Sequence, residues 1–502
     1  MEKDTRDIAR GAMVNFAGAL LRTVSVIFYV YLARAYGPAV VGVFVVCVSA
    51  LDIVAKLGIL GFDRAIMTTA ARRGDAGDEG RFYRSTAHGL IMGGLAGMAV
   101  TLLMEAGAIP WSARFLGRAD LVAPLRIMAP GVFFWTVSGI FLAAAKATRV
   151  MKHDLAVKNV VEPLALFAGA LAFGAFMPGV QALAWAFVAS TLAGAAAAAL
   201  LFGRRFSYRK LLSHAGTPEG RAEIARHAVP IGVYDLLNLL LQRADLFILT
   251  RFAPAATVGV YAMAQNAAFT FKKVRQSFDP ISLPVIAAAS HARRREDLLG
   301  HYRTVTRWVL IINLGLMGVA AVGSRLIMGI FGRDFTPGAA PLVILTAAIM
   351  VNTILGVSEL FILTDRPMLN VANTVAALGA AAGLGFLLTP RFGMVGAAAA
   401  TLGAYALMNV LRLVQVRALY GMHPFSAYHA RAVAAFAGAG VAAYLLRIAL
   451  AGLPPAAADG LAALAFVLAY VGALALLGLA AEERAIARGI LALLGLPARE
   501  GA

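Results

Sequence analysis

The chain has 502 residues, 61% of them hydrophobic and only 14% charged, with a mean hydropathy of +0.79. A water-soluble fold carries roughly 25% charged residues, so this chain cannot cover itself with a polar surface, which excludes a soluble globular protein and leaves an integral membrane protein. The formal net charge of +19 does not signal nucleic acid. Its basic residues cluster between apolar runs, as in RRGDAGDEGRFYR (72–84), GRRFSYRK (203–210) and HARRRED (291–297), without aromatic interleaving.

The amino terminus, MEKDTRDIAR, carries three acids and leads into an apolar stretch too long for a signal peptide, so it is read as retained. Fourteen segments then reach the ~20 predominantly apolar residues of a spanning helix. They are 12–34, 38–62, 86–108, 121–145, 158–176, 181–202, 227–251, 256–289, 304–331, 338–364, 368–388, 393–417, 430–450 and 460–480. Two of them, 256–289 and 304–331, exceed the need, and Pro280 and Pro284 are expected to kink the first. The longest connection, about 203–226, reads as an interfacial linker, and the tail AEERAIARGILALLGL (481–496) as an amphipathic helix on the inner surface. Most of the 45 lysines and arginines lie in connections on the side of the amino terminus, which puts both termini in the cytoplasm.

The chain also repeats. At an offset of 217 residues LARAYGPAVVGVF (32–44) falls on LTRFAPAATVGVY (249–261), Pro124 on Pro341, and Arg149 and Met151 on Arg366 and Met368. Phe62-Asp63 meets Phe278-Asp279 at 216, and GVQALAWAF (179–187) resembles GMVGAAAAT (393–401) at 214. A common offset held along the chain marks an internal duplication. The unit is six helices, an even number, so both copies have the same orientation. The expected fold is all-α, about 14 transmembrane helices in two parallel six-helix bundles plus two extra C-terminal helices. The divisions are 1–215, 216–425 and 426–502. Parallel repeats of this kind mark transporters that bind near the repeat interface and rock between two openings, with a channel or a passive scaffold as the alternative.

GAMVNFAGALLRTVSVIFYVYLARAYGPAVVGVFVV (11–46) resembles the opening of polysaccharide-type (oligosaccharide/lipopolysaccharide biosynthesis) flippases of the multidrug/oligosaccharidyl-lipid/polysaccharide (MOP) superfamily. ADLFILTRFAPAATVGVYAMA (244–264) resembles the matching stretch of the second half, and the six-plus-six-plus-two layout extends the resemblance over the whole chain. The resemblance implies translocation of an undecaprenyl-diphosphate-linked oligosaccharide from the cytoplasmic to the periplasmic leaflet of a bacterial inner membrane. Membrane lipids and a glycan polymerase or export machinery are the implied partners. Lipid II flippases share fourteen spans and are the nearest rival, followed by drug/cation antiporters of the same superfamily and a structural subunit of an envelope-synthesis complex.

No enzyme or cofactor motif stands out: GxxxxGK[ST] and HExxH are both missing, Gly438/Gly440 read as packing glycines, and the single Cys47 and scattered histidines suggest no metal site. The informative residues are polar ones inside apolar helices, which cost free energy in a bilayer. In 235–251, DLLNLLLQRADLFILTR, the groups Asp235, Asn238, Gln242 and Asp245 lie within about 80° of one another on a helix, with Arg243 at the edge. The first span repeats the device with Gly11, Asn15, Gly18, Arg22, Ser25 and Tyr29, and the two stripes are read as facing a hydrated cavity, the alternative being that Arg243 and Asp245 pair with neighbours and fix bundle packing. Arg22 lies too deep to snorkel, so it either binds phosphate oxygens in a bidentate fork or pairs with Asp52. Lys56 and Lys273, related by the 217-residue offset, either snorkel or flank the inner mouth, with Asp52 neutralising Lys56 or coupling an ion. Arg22, Lys56, Arg243 and Lys273 are thus the candidate substrate-binding residues. Asn15, Asp52, Asp235, Asn238, Gln242 and Asp245 are the candidate cavity-lining or ion-coupling ones. Glu162 and Glu359 rank lower, near the cytoplasmic interface.

Overall fold

In the computed structural model of the chain, residues 2–59, 61–71, 79–148, 150–216, 221–276 and 295–477 are described, with side chains at most positions from residue 27 onward but not, among others, at 68–71, 111–113, 221–225, 272–276, 295–298 and 363–365. Every regular element among them is a helix. The first, α1 (Glu2–Ile59), has 58 residues and would measure about 87 Å if straight, against ~30 Å of bilayer hydrocarbon. It breaks at Gly37, whose φ of 71° lies in the left-handed region that glycine enters without steric cost. Pro38 opens the second half, where no backbone N–H donor is needed. The break expected between the segments 12–34 and 38–62 is therefore present.

Packing divides the chain into two compact units, Met1–Met263 with Ala381–Ala397, and Ala264–Ala380 with Ala398–Ala502. This division follows contacts and cuts through helices, whereas the repeat is a feature of sequence order.

The first unit continues with α2 (Phe62–Ala71), α3 (Glu79–Leu103), α4 (Ile109–Leu116), α5 (Val122–Met128), α6 (Pro130–Ala147), α7 (Met151–Ala156), α8 (Glu162–Gly174) and α9 (Val180–Gly203). After α10 (Tyr208–Ser213) come α11 (Arg221–Phe252) and the first part of α12 (Ala255–Gln276). Wide-turn π segments interrupt the helical path at Met104–Ala108 and Val157–Val161. Helices α3, α6, α8 and α9 pack on one another and on α1, while α11 packs on α1 and α2. Ile66, Phe82, Ile140, Phe141 and Phe202 form the buried core between them.

One contact in this unit carries the repeat. A Cβ placed on Gly42 would strike the Ala255 carbonyl oxygen and come within 2.8 Å of Gly259 N. One on Gly259 would strike the Pro38 carbonyl oxygen and come within 2.9 Å of Gly42 N. Pro38 and Ala255, like Gly42 and Gly259, are 217 residues apart. The contact therefore exchanges with itself under the 217-residue offset. Only glycine admits so close a backbone approach.

The second unit holds α13 (Arg295–Val322), α14 (Ser324–Phe331), α15 (Ala339–Ile354), α16 (Val357–Asp365), the outer parts of α17 (Pro367–Tyr420), α18 (Ala427–Ala449) and α19 (Pro455–Leu476). The long segment 304–331 is two helices that part at Gly323, which accounts for its excess length. α17 is interrupted at Gly393, with φ 55°. The two C-terminal helices pack on each other and on α13 around Phe466 and Tyr470. Pro280, Pro284 and the tail 481–496 lie outside the described residues.

Ten segments among the described residues are long and apolar enough to cross a membrane. The two broken helices each contribute one segment to that number. α11 is not among the ten because of the charged groups it carries, and α12 is described only to Gln276. The protein is an all-α, multi-pass membrane protein.

Candidate functional site

The polar residues of the α11 stripe have different surroundings. Asn238 Nδ2 donates to the Tyr234 carbonyl at 2.9 Å and Gln242 Nε2 to the Asn238 carbonyl at 3.1 Å, the one-turn back-bonds that let an amide sit in an apolar helix. Asp235, Asn238, Gln242 and Arg243 are all half-buried. Asp245 departs from the water-facing expectation. It is buried, its Oδ2 accepts a 2.6 Å hydrogen bond from the Tyr261 hydroxyl, and its Oδ1 accepts from Leu246 N at 2.8 Å. Tyr261 on α12 thereby fixes this end of the stripe as packing.

The other end is ionic. Asp235 Oδ1 lies 3.0 Å from Arg64 Nη2, on α2. The adjacent Asp63 lies 3.6 Å from Lys56 Nζ, on α1. One turn before Lys56, Asp52 is half-buried, and the charges that act on it are Arg243, Lys56 and Lys158. Arg243 also acts on the Tyr29 ring hydroxyl. The cations and carboxylates of α1, α2 and α11 thus share one electrostatic neighbourhood.

The π segment Val157–Val161 brings in a third strand of this network. Lys158 Nζ is 2.6 Å from Glu162 Oε1 and 5.6 Å from the centroid of the Trp135 ring, whose Nε1 donates to Glu162 Oε2 at 3.4 Å. Ser190 Oγ donates to the Glu162 carbonyl at 2.7 Å. One extra residue in a helical turn re-aims the side chains around it, and such bulges recur at functional positions.

Of the residues singled out by sequence, the structure brings together Lys56, Asp52, Arg243 and Asp235 and sets Asp245 apart. The side chains of Asn15, Arg22 and Lys273 lie outside the described residues. Arg64, Lys158 and Trp135 were missed, since Arg64 reads as a positive-inside charge and Trp135 as an apolar residue. The i,i+4 spacing of Lys158 and Glu162 was the available signal. In the second unit Glu359 lies 3.3 Å from Arg412, a fully buried guanidinium, near the reciprocal amide pair Asn373–Gln415 at 2.7 and 2.8 Å.

Outside the apolar segments, Arg118 holds Asp120 through two bonds of 2.8 and 2.7 Å and donates from Nη1 to the Ala253 carbonyl at 3.4 Å, in the turn between α11 and α12. The Arg118 hydrogen bond keeps the Asp120 carboxyl below the usual carboxylate range.

A family model described as a polysaccharide biosynthesis protein matches residues 8–275, just over half of the chain. Among curated proteins none matches. The lipid II flippase MurJ in an inward closed conformation is similar in structure, with a TM-score of 0.72 at 13% identity over 92% of this chain and 98% of its own. An inward-facing multidrug resistance MATE family transporter of the MOP superfamily has a TM-score of 0.67 at 16% identity, over 80% of this chain and 94% of its own. A MOP superfamily transporter from Pyrococcus furiosus, described by the reverse polarity of its binding pocket, has a TM-score of 0.58 at 17% identity, over 80% and 93%. The helices that carry the charged network are those the family model covers, and the chain belongs to the polysaccharide biosynthesis protein family, with the fold of the MOP-superfamily flippases and transporters.

Proposed function

We propose that the protein flips a polyprenyl-diphosphate-linked oligosaccharide across the bacterial cytoplasmic membrane by alternating access. What supports this reading is the neighbourhood of Asp52, Lys56, Arg243 and Lys158 inside apolar helices of a chain that belongs to the polysaccharide biosynthesis family. The saccharide is bound by its diphosphate, which carries about two negative charges and needs compensating donors to enter an apolar medium. Lys56 and Lys273 receive it at the inner mouth, Arg22 at mid-depth, and Arg243 farther along. Asp235, Asn238 and Gln242 line the aqueous path with Asn15, and Asp52 couples an ion or proton. Asp245 contributes by holding α11 to α12.

Among the described residues each cation of this network is set against a carboxylate. Lys56 is near Asp63, Arg64 near Asp235, Lys158 near Glu162, and Arg243 acts on Asp52. A dianion can join only by displacing carboxylates from their cations or by their protonation, and either route ties substrate entry to a second event. That coupling is what a transporter needs and a passive scaffold does not. The same fold in a lipid II flippase keeps a peptidoglycan precursor as the second reading.

Reconstituted protein and the appearance of lipid-linked saccharide in the outer leaflet test it. Arg22→Ala abolishes flipping while the protein stays in the membrane, and Arg22→Lys restores part of it, since an ammonium keeps the charge and loses the planar fork. Lys56→Ala and Lys273→Ala each slow transport, and the pair together slows it more. Wild-type flipping by well-expressed Arg22→Ala and by the double-lysine variant overturns the diphosphate path.

A further inference from the structure

The two C-terminal helices lie outside the repeat, and the charged network above does not use them. Between α13, α14, α18 and α19 in the second unit is a cavity of about 320 Å³. Its walls divide by chemistry. Phe436, Phe466, Gly318 and Gly440 make an apolar end, and Ser324, Arg325, Arg447 and Asp459 a polar one. Asp459 is 2% exposed, and its Oδ1 accepts a 2.6 Å bond from Arg447 Nε. That single contact through Nε orients the guanidinium and leaves the Nη groups for another acceptor. Arg325, in the first turn of α14, is exposed and makes no ion pair among the described residues. Two guanidiniums against one carboxylate leave the polar end with a net positive charge.

The surroundings say what kind of anion this is. Leu326, Ile330, Leu445 and Ile448 are exposed beside Arg325 and Arg447 in sequence, and Tyr444 on the cavity wall is 62% exposed. In a membrane protein such side chains face lipid, and an exposed Tyr beside arginines marks the headgroup depth. A soluble anion would need an aqueous mouth, whereas a lipid has the apolar chain and the charged head in the order that the cavity offers.

We propose that this cavity is a lipid-phosphate site, with the phosphate between Arg325 and Arg447 and the adjoining hydrocarbon against Phe436 and Phe466. Asp459 is a positioning residue, holding Arg447 in place. The chemistry is shared by a bulk anionic phospholipid and by a polyprenyl phosphate carrier. In either case the appended helices build a second lipid contact, independent of the diphosphate path proposed above.

Native mass spectrometry of the purified full-length protein tests this without any transport assay, so its outcome is separate from the flipping result. The probes are phosphatidylglycerol, undecaprenyl monophosphate, diacylglycerol as the phosphate-free control, and inorganic phosphate as competitor. Arg325→Gln should raise the half-saturating concentration of at least one phosphate lipid about tenfold, the effect of losing a charge-assisted hydrogen bond. Arg447→Gln made together with Asp459→Asn removes the pair without leaving a buried charge uncompensated, and should weaken the same lipid. Loss confined to phosphatidylglycerol identifies bulk lipid as the occupant, and loss confined to undecaprenyl phosphate identifies the carrier. Unchanged binding of both lipids by both variants overturns the proposal. So does equal binding of diacylglycerol, or displacement by inorganic phosphate at the concentrations at which the lipids bind.

Discussion

At the scale of single residues, the α11 stripe shows that spacing and environment are separate facts. Asp235, Asn238, Gln242 and Asp245 share a face, yet a tyrosine one helix away removes Asp245 from water. Cysteines at 235, 238 and 242, in a background without Cys47, should react with small hydrophilic thiol reagents. Those at Asp245 and Leu241, both buried, should react far more slowly. Equal protection of all five would mean that the stripe is packing throughout. Tyr261→Phe removes the donor to a buried carboxylate and should lower stability by about 1–3 kcal/mol, read as a fall in the thermal transition of the detergent-solubilised protein. An unchanged transition would show that Asp245 finds another donor.

At the scale of elements, the second half of α1 meets α12 through Gly42 and Gly259, and the Arg118–Asp120 pair braces the α11–α12 turn nearby in sequence. Valine at either glycine forces backbones apart, a strain of about 1–3 kcal/mol. Gly42→Val and Gly259→Val should each speed hydrogen exchange in 253–262 and slow transport, and wild-type exchange in both would show that the contact is dispensable. The brace has a pH signature. A carboxyl held below its free value contributes stability that is fully present above the free pKa, near ~4, and lost as pH falls through the lower folded-state value. Protection of the 251–255 amides, corrected for intrinsic rates, should therefore persist at pH 4 and fall only in stronger acid. Asp120→Asn should abolish that dependence. Loss of protection already at pH 5 to 6 would assign it to another group.

At the scale of the whole molecule, a fold shared with transporters predicts an ordered set of traverses. With fourteen spans and both termini cytoplasmic, reporter fusions after residues 118, 179, 333 and 391 should all report the periplasm. Cytoplasmic signals at two or more of these positions would overturn that topology. The count depends on treating α1 and α17 as two traverses each, at Gly37 and Gly393.

The membrane class and the helical fold were legible in the sequence alone, because the bilayer imposes one rule on every segment. Backbone polar groups must be satisfied within the helix, so long apolar runs suffice to mark a multi-pass helical protein. The offset of 217 residues aligns Gly42 with Gly259, but that their backbones meet was not legible in it. What linear order could not decide is which polar side chains meet. Arg64 reaches Asp235 across more than 170 positions, Lys158 turns toward Trp135 and Glu162 from a π segment, and Arg412 is buried against Glu359. A charged side chain inside an apolar helix has the same periodicity whether it faces water, a ligand or a partner. Only the packing of the helices chooses among these, because the Coulomb energy that decides between them depends on distance and dielectric rather than on sequence position.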